Sequence, residues 1–367
     1  MEGIVLALLV CLVLACVTKY LGVPSIPFYI IAGIALGKSG LNLVSADSTS
    51  QFFTDLGLIF LLFFMGLELN PSRIIENRTQ FLRSGLIDLN VNLFIGFIAA
   101  YIFGFTLTES LVVGVAFFVS STAMTLTSLI ENRKLMMHES ETIVWMMVFE
   151  DLVLIIALAF LARGDSNPLF LFLKVILMFL FFAIIGKYGK GIIKGILKRD
   201  DDLPVLFTFS AVLAIAFFSQ SIGVPDTLMV IAFGAALAAS NATAFEVHAK
   251  PFKDVFLVIF FVFFGISVDL SGGISIIAAV VISVLALASK FISGLIIGLR
   301  IHGRIMSGIE IGVNTIGRGE FSIALATIFG SAAVSTMIAV VVITTSIIGA
   351  FLARYSDVIK AKCMEIS

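Results

Sequence analysis

Apolar runs separated by short polar stretches set the rhythm of this chain. A helix needs about 17–25 mainly apolar residues to cross a bilayer. Runs of that kind recur at about 3–20, 24–37, 52–69, 81–104, 108–130, 140–163, 168–186, 203–221, 225–245, 252–269, 273–299, 305–329 and 332–353. The second is short and is interrupted by Pro24 and Pro27. The pattern predicts an all-α polytopic membrane protein with about 13 transmembrane helices.

Basic residues fix the orientation of these spans. With the N-terminus outside, the inner loops and span ends hold nearly all of them, including Lys19, Arg73, Arg78, Arg83, Arg133, Lys134, Lys187–Arg199, Lys250, Lys253, Arg300, Arg304, Arg354, Lys360 and Lys362. Lys174, Lys290 and Arg318 lie inside spans, and only Lys38 and Arg163 fall outside. The asymmetry follows the positive-inside rule and predicts a cytoplasmic C-terminus in a cell membrane. Composition agrees: 60% of residues are hydrophobic and 13% charged, against roughly 45–50% and 25% in a soluble domain. A net charge of −1 gives no reason to expect a nucleic-acid partner. Glu2 and the absence of a cleavage site argue against a removed signal peptide. Cys11, Cys16 and Cys363 form no disulfide framework.

The chain also repeats itself. LGVPSIPFYIIAGIALGKS at 21–39 returns as IGVPDTLMVIAFGAALAAS at 222–240, and DLGLIFLLFFMG at 55–66 returns as DVFLVIFFVFFG at 254–265. Both matches are offset by about 200 residues, an interval that holds seven spans. Seven is odd, so the second copy is inverted relative to the first. Inverted repeats mark transporters whose site lies near the bilayer midplane at broken helices.

Against this background the carboxylates of VWMMVFEDLVLIIALAF, 144–160, stand out. Glu150 and Asp151 sit midway along span six, where a charge costs roughly 2.5–3.5 kcal/mol. Neighbouring helical positions point about 100° apart, so the two can hold different jobs. One can face a watery cavity and hold a proton or a cation, while the longer Glu150 reaches a structural partner. Lys290 in span eleven and Arg318 in span twelve are candidate positive partners. Lys290 lies too far from its span's end to reach a membrane surface easily. Spans five and twelve read as broken. Ser120, Ser121 and Thr122 put hydroxyls where lipid-facing residues would be apolar, and 314–321 reads NTIGRGEF. Unwound backbone there would offer carbonyls to a cation, with Glu320 or Arg318 balancing half-helix ends. The alternative for the hydroxyls is back-bonding within an unbroken helix. Asp88, with Asn90 and Asn92, either lines the same cavity or pairs with a basic residue.

The stretches LGLIFLLFFMGLELNPSRI (56–74), SSTAMTLTSL (120–129), FEDLVLI (149–155), VIFFVFFGISVDL (258–270), Lys290 and GRGEFSIAL (317–325) together resemble the monovalent cation:proton antiporter-2 family. This family includes sodium/proton antiporters of the NapA type and the membrane part of Kef-type potassium-efflux proteins. The resemblance implies a homodimer with a dimerisation domain from 1–80 and 191–271. It also implies a mobile core from 81–165 and 272–367, crossed broken helices in that core, and a linker helix at 166–190. It makes Asp151 the ion-binding aspartate and Lys290 the lysine that pairs with the acidic motif. Glu-Asp departs from the Asp-Asp of electrogenic sodium-selective members and from the Gln-Asp of Kef-type members. No nucleotide-binding regulatory domain is expected, because the chain ends about fourteen residues past the last span.

The expectation is a secondary antiporter, not an enzyme, that exchanges Na⁺ or Li⁺, with K⁺ as a further option, for H⁺ and needs no cofactor. Cation and proton compete at Asp151, and Lys290 pairs with the free carboxylate. A cation channel and a non-transporting membrane sensor are the alternatives. Against the channel stand the inverted repeat, the midplane charge pair and the absence of a filter-like loop.

Overall fold

A computed structural model describes the chain except residues 1, 22, 46, 69–77, 163–172, 175–176, 179, 183, 185–187, 200, 271–275 and 361–367. The described residues form helices and connecting turns: α1 (Glu2–Leu21), α2 (Ile26–Leu36), α3 (Ser48–Glu68), α4 (Arg78–Ile102), α5 (Leu107–Phe118), α6 (Thr122–Glu131), α7 (His138–Leu161), α8 (Lys190–Leu197), α9 (Leu203–Ile222), α10 (Asp226–Ser267), α11 (Ile276–Ile297), α12 (Ile305–Thr315), α13 (Glu320–Phe329) and α14 (Ala332–Arg354). Local chemistry sets several ends. Pro27 opens α2, where its missing N–H costs nothing. Thr106 and Glu109 form a reciprocal capping box on α5, and the Ser331 hydroxyl caps α14. Among the described residues, Gly3–Leu21, Thr79–Ile102, His138–Leu161, Ile277–His302 and Ala332–Arg354 are each long and apolar enough to cross a membrane.

Spans five and twelve are each broken into two half-helices, α5/α6 and α12/α13. The span expected at 168–186 lies largely outside the described residues. Spans nine and ten were expected as separate helices, yet α10 runs unbroken through both. It cannot be straight. The Gly57 Cα lies against the carbonyl of Phe256, and Gly66 against that of Ile231. Nine residues of α3 separate those glycines, about 14 Å, whereas a straight helix would put the two carbonyls about 37 Å apart. The run therefore doubles back between residues 231 and 256. Pro251, which lacks an N–H and crowds the preceding turn, lies in that interval.

By packing, the chain divides into two units. One comprises Met1–Ala46, Asn77–Leu154 and Phe261–Ser367, and holds α1, α2, most of α7 and all of α4–α6 and α11–α14. The other comprises Asp47–Glu76 and Ile155–Phe260, where Phe60 stacks on Phe209, Phe252 and Phe256 at centroid distances of 5.4, 5.8 and 5.6 Å.

Close glycine approaches carry the repeat beyond the strings read in sequence. Gly33 meets Gly265 in the first unit and Gly66 meets Gly234 in the second. These are equivalent pairs once each residue is exchanged for its counterpart in the other copy. The same holds for Gly96 with Gly114 on α4 and α5, and for Gly294 with Gly312 on α11 and α12. The latter contact is part of a longer seam. A Cβ on Gly298 would lie 2.1 Å from the Gly308 nitrogen, so α11 and α12 touch backbone to backbone. Gly298 also begins a π-helical turn, Gly298–His302, which ends at Gly303 with φ +66.

Candidate functional site

The two broken spans cross inside the first unit. Val119 and Ser121 have extended backbone, and so the chain leaves α5 and re-enters helix at Thr122. Opposite it runs the 316–319 segment. The Ser121 N–H donates to the Gly317 carbonyl at 2.8 Å, and the Ser120 and Thr125 hydroxyls donate to the Thr315 and Asn314 carbonyls at 3.1 Å each. Gly319 has no room for a side chain, since a Cβ would come within 2.5 Å of Ser121. Unwound backbone is thus satisfied by the other break's hydroxyls and amides, the condition for irregular chain at membrane depth.

Four helix ends meet at this crossing, and each sign of partial charge has a counter-charge. The carboxyl ends of α5 and α12 carry partial negative charge. The fully buried Arg318 answers both: its Nε and Nη2 donate to the Phe117 carbonyl at 3.2 and 3.0 Å, and its Nη1 to Ile316 at 2.8 Å. The amino ends of α6 and α13 carry partial positive charge. Glu320, the first residue of α13, accepts from the Ser121 hydroxyl at 2.9 Å. Glu150, from α7, accepts from the Ser120 N–H and, at 3.0 Å, from its hydroxyl.

Beside the crossing lies a closed charge triad. The Lys290 ammonium donates to Glu150 Oε1 and to Asp88 Oδ2, both at 2.7 Å, and all three side chains are at most 1% exposed. Asp88 Oδ1 accepts from Ser293 at 2.7 Å and from Asn92 at 2.8 Å. Asn92 and Ser289 also accept from Arg318, at 3.4 and 3.1 Å, so the triad and the crossing share one polar network. With Gly96 matched to Gly294 in the repeat, the counterpart of Lys290 on α4 is Asn92, itself part of this network.

Glu150 accepts from the Ser120 N–H and from Lys290 and shares the Ser120 hydroxyl hydrogen with the Thr315 carbonyl, which commits it to lysine and backbone. Asp151 is also buried. The sequence reading gave Lys290 the free carboxylate of Asp151 as its partner; the structure gives it Glu150 and Asp88. Asp88 pairs with a basic residue, one of its two expected roles. Ser120, Ser121, Arg318 and Glu320 all lie at the crossing, and Thr122 opens α6 half-buried beside it. Ser289, Ser293, Thr125 and Asn314 were not singled out. Ser293 follows Lys290 by three positions, a helical spacing that a closer look at span eleven's polar face could have caught.

A cavity of about 800 Å³ opens on the side of α6 and α12. Lys19, Tyr20, Ser25, Asn132 and Arg354 contribute to its walls, and Met124, Thr125, Asn314 and Gly317 bring it to the crossing. Next to it is a second ion-pair cluster. Glu310 accepts from Lys134 at 2.8 Å and from Lys360 at 2.7 Å, with the Ser356 hydroxyl at 3.1 Å.

Comparison with known proteins gives a consistent picture. A family profile described as sodium/hydrogen exchanger, transmembrane, matches residues 4–355. The K(+)/H(+) antiporter subunit KhtU of Bacillus subtilis is 29% identical over 318 residues, covering 82% of this chain and 78% of that protein. The ammonium/H(+) antiporter subunit AmhT of Alkalihalophilus pseudofirmus is 24% identical over 367 residues, covering 96% and 93%. In fold, the chain is similar to the sodium proton antiporter MjNhaP1 of Methanocaldococcus jannaschii at pH 8. The TM-score is 0.72 at 17% identity, over 98% of this chain and 97% of that one.

Proposed function

We propose, because the chain belongs to the family of transmembrane sodium/hydrogen exchangers, that it exchanges a monovalent cation for H⁺ by alternating access, with both ions competing for Asp151. It is a multi-pass membrane protein. Within the family we place it with the monovalent cation:proton antiporter-2 type, as a homodimer whose core moves against the dimerisation domain.

The observation that carries this reading is the pair of buried carboxylates on α7. Glu150 is bound by Ser120 and Lys290, and Asp151 stands where the family resemblance puts the ion-binding aspartate. A bare charge carried across the apolar barrier is costly. A carboxylate neutralised by either a proton or a cation is not. If the site crosses only when occupied, and holds one ion at a time, the two fluxes are coupled. Lys290 then acts as a fixed counter-charge for Glu150 and Asp88 and sets the field that Asp151 works in.

For the cation, Na⁺, Li⁺ and K⁺ were expected from sequence. The names of the two bacterial relatives weigh toward K⁺ and add ammonium. The positive-inside pattern supports a cytoplasmic C-terminus and a cytoplasmic cavity mouth.

The test is dissipation of a pH gradient in proteoliposomes on adding Na⁺, Li⁺, K⁺ or NH₄⁺. Wild type dissipates the gradient with at least one cation, and Asp151→Asn does not. Equal rates in the two proteins would remove Asp151 from the mechanism.

A further inference from the structure

We propose that the side-chain oxygens of Asn314 and Thr125 form a vestibular site for the transported monovalent cation, where the ion sheds part of its water before reaching Asp151. This rests on the exchange reading above and adds a binding site on the path to it.

The argument is one of hydrogen-bond accounting. Asn314 lies in the last turn of α12, is 4% exposed, and lines the 800 Å³ cavity. Its amide nitrogen has two hydrogens. One goes to the Glu310 carbonyl at 2.8 Å and the other to Glu310 Oε1 at 2.9 Å. Both partners are pure acceptors, so the orientation of the amide is fixed. Its oxygen, Oδ1, is buried and has no hydrogen-bond partner in the protein. Such an atom in a native fold needs an explanation. Thr125, 2% exposed on the same cavity, commits its single hydroxyl hydrogen to the Asn314 carbonyl at 3.1 Å. Only lone pairs are left on it. Two neighbouring side chains on one wall therefore have their donors used up and offer oxygen alone. That surface suits a ligand with positive charge and no need of a donor.

The surroundings agree. The carboxyl end of α12 lends partial negative charge at Asn314. Arg318 takes the Ile316 carbonyl, while Ser120 and Thr125 take those of Thr315 and Asn314, so the backbone of this turn is already engaged. The exposed cations on the cavity, Lys19 and Arg354, sit at its outer rim. Carbonyl and hydroxyl oxygens that replace an ion's hydration shell also select among ions. The Asn314 and Thr125 oxygens should therefore affect which cation is preferred.

The experiment measures apparent KM for Na⁺ and K⁺ in proteoliposomes for wild type and four variants. Asn314→Leu and Thr125→Val each remove one oxygen at similar volume and should change the Na⁺/K⁺ ratio of KM by about fivefold, the scale of one polar contact. Glu310→Gln disturbs the contact behind Asn314 but keeps Oδ1, and should leave the ratio as in wild type. Thr125→Ser keeps the hydroxyl and its hydrogen bond to the Asn314 carbonyl, and should leave the ratio near wild type. Unchanged ratios in both Asn314→Leu and Thr125→Val would overturn the site. So would a shift in Glu310→Gln as large as in Asn314→Leu, since the effect would then be structural. If Asn314→Leu does not fold, Thr125→Val decides alone. Wild type that moves no protons with any cation would instead defeat the exchange reading beneath it.

Discussion

Replacing Lys290 by methionine is the sharpest perturbation of the charge triad. The substitution keeps most of the side-chain volume and removes one charge, leaving Asp88 and Glu150 buried without the ammonium they share at 2.7 Å. Removing one partner of a buried pair costs about 3–5 kcal/mol, because the survivor stays uncompensated. Here there are two survivors, so the upper part of that range applies. Asp88→Asn is the control. It leaves the Lys290–Glu150 pair intact and an oxygen for Ser293, and should cost about 1 kcal/mol, one ordinary hydrogen-bond contribution. The two substitutions together should not add, with a coupling of about 1 kcal/mol or more between contacting groups. The assay is thermal unfolding of detergent-solubilised protein for wild type, both single variants and the double. Lys290→Met should lower the midpoint by several times the shift of Asp88→Asn. Equal small shifts would mean the triad is wet or open, and would refute the reasoning from burial.

Two further predictions probe the packing around the site. Gly298→Ala should sharply reduce folded yield and the unfolding midpoint, since the new Cβ would lie 2.1 Å from the Gly308 nitrogen and no flexible side chain is there to yield. Asp357, in the short helical stretch that follows α14 at 356–360, has its carboxyl held below the usual range by the hydrogen bond from Lys360, with burial opposing and the charge of Lys134 adding to the effect. A depressed carboxylate stabilises above its unfolded value, near 3.9, and loses that contribution as pH falls through the folded value. Asp357 is 71% exposed, so Asp357→Asn should cost at most about 1 kcal/mol at neutral pH, and the difference in midpoint should vanish in acid.

Much of this was legible in the chain because a bilayer leaves few options. Apolar runs gave the all-helical membrane fold, and the doubled Gly-Val-Pro strings gave its internal repeat. Buried charge in an apolar run gave Glu150, Asp151, Lys290 and Arg318. The partners were not legible. Lys290 joins α4 to α7 through Asp88 and Glu150, and nothing in the local sequence says which carboxylate a lysine on a third helix will reach. Arg318 was expected to balance a half-helix end, but only the crossing shows it bridging the carbonyls of two. The reversal between the runs at 225–245 and 252–269 was legible as two spans; that helix continues through it was not, because its sign is a set of distances to α3, from Gly57 and Gly66.

Competition between cation and proton at one carboxylate is the central claim, and its most direct measurement is apparent cation KM as a function of pH in proteoliposomes. On the acid side KM should rise by about tenfold per pH unit, the slope for one proton excluding one cation, while the maximal rate at saturating cation stays level. A KM that does not change with pH, with the rate alone falling, would contradict a shared seat at Asp151.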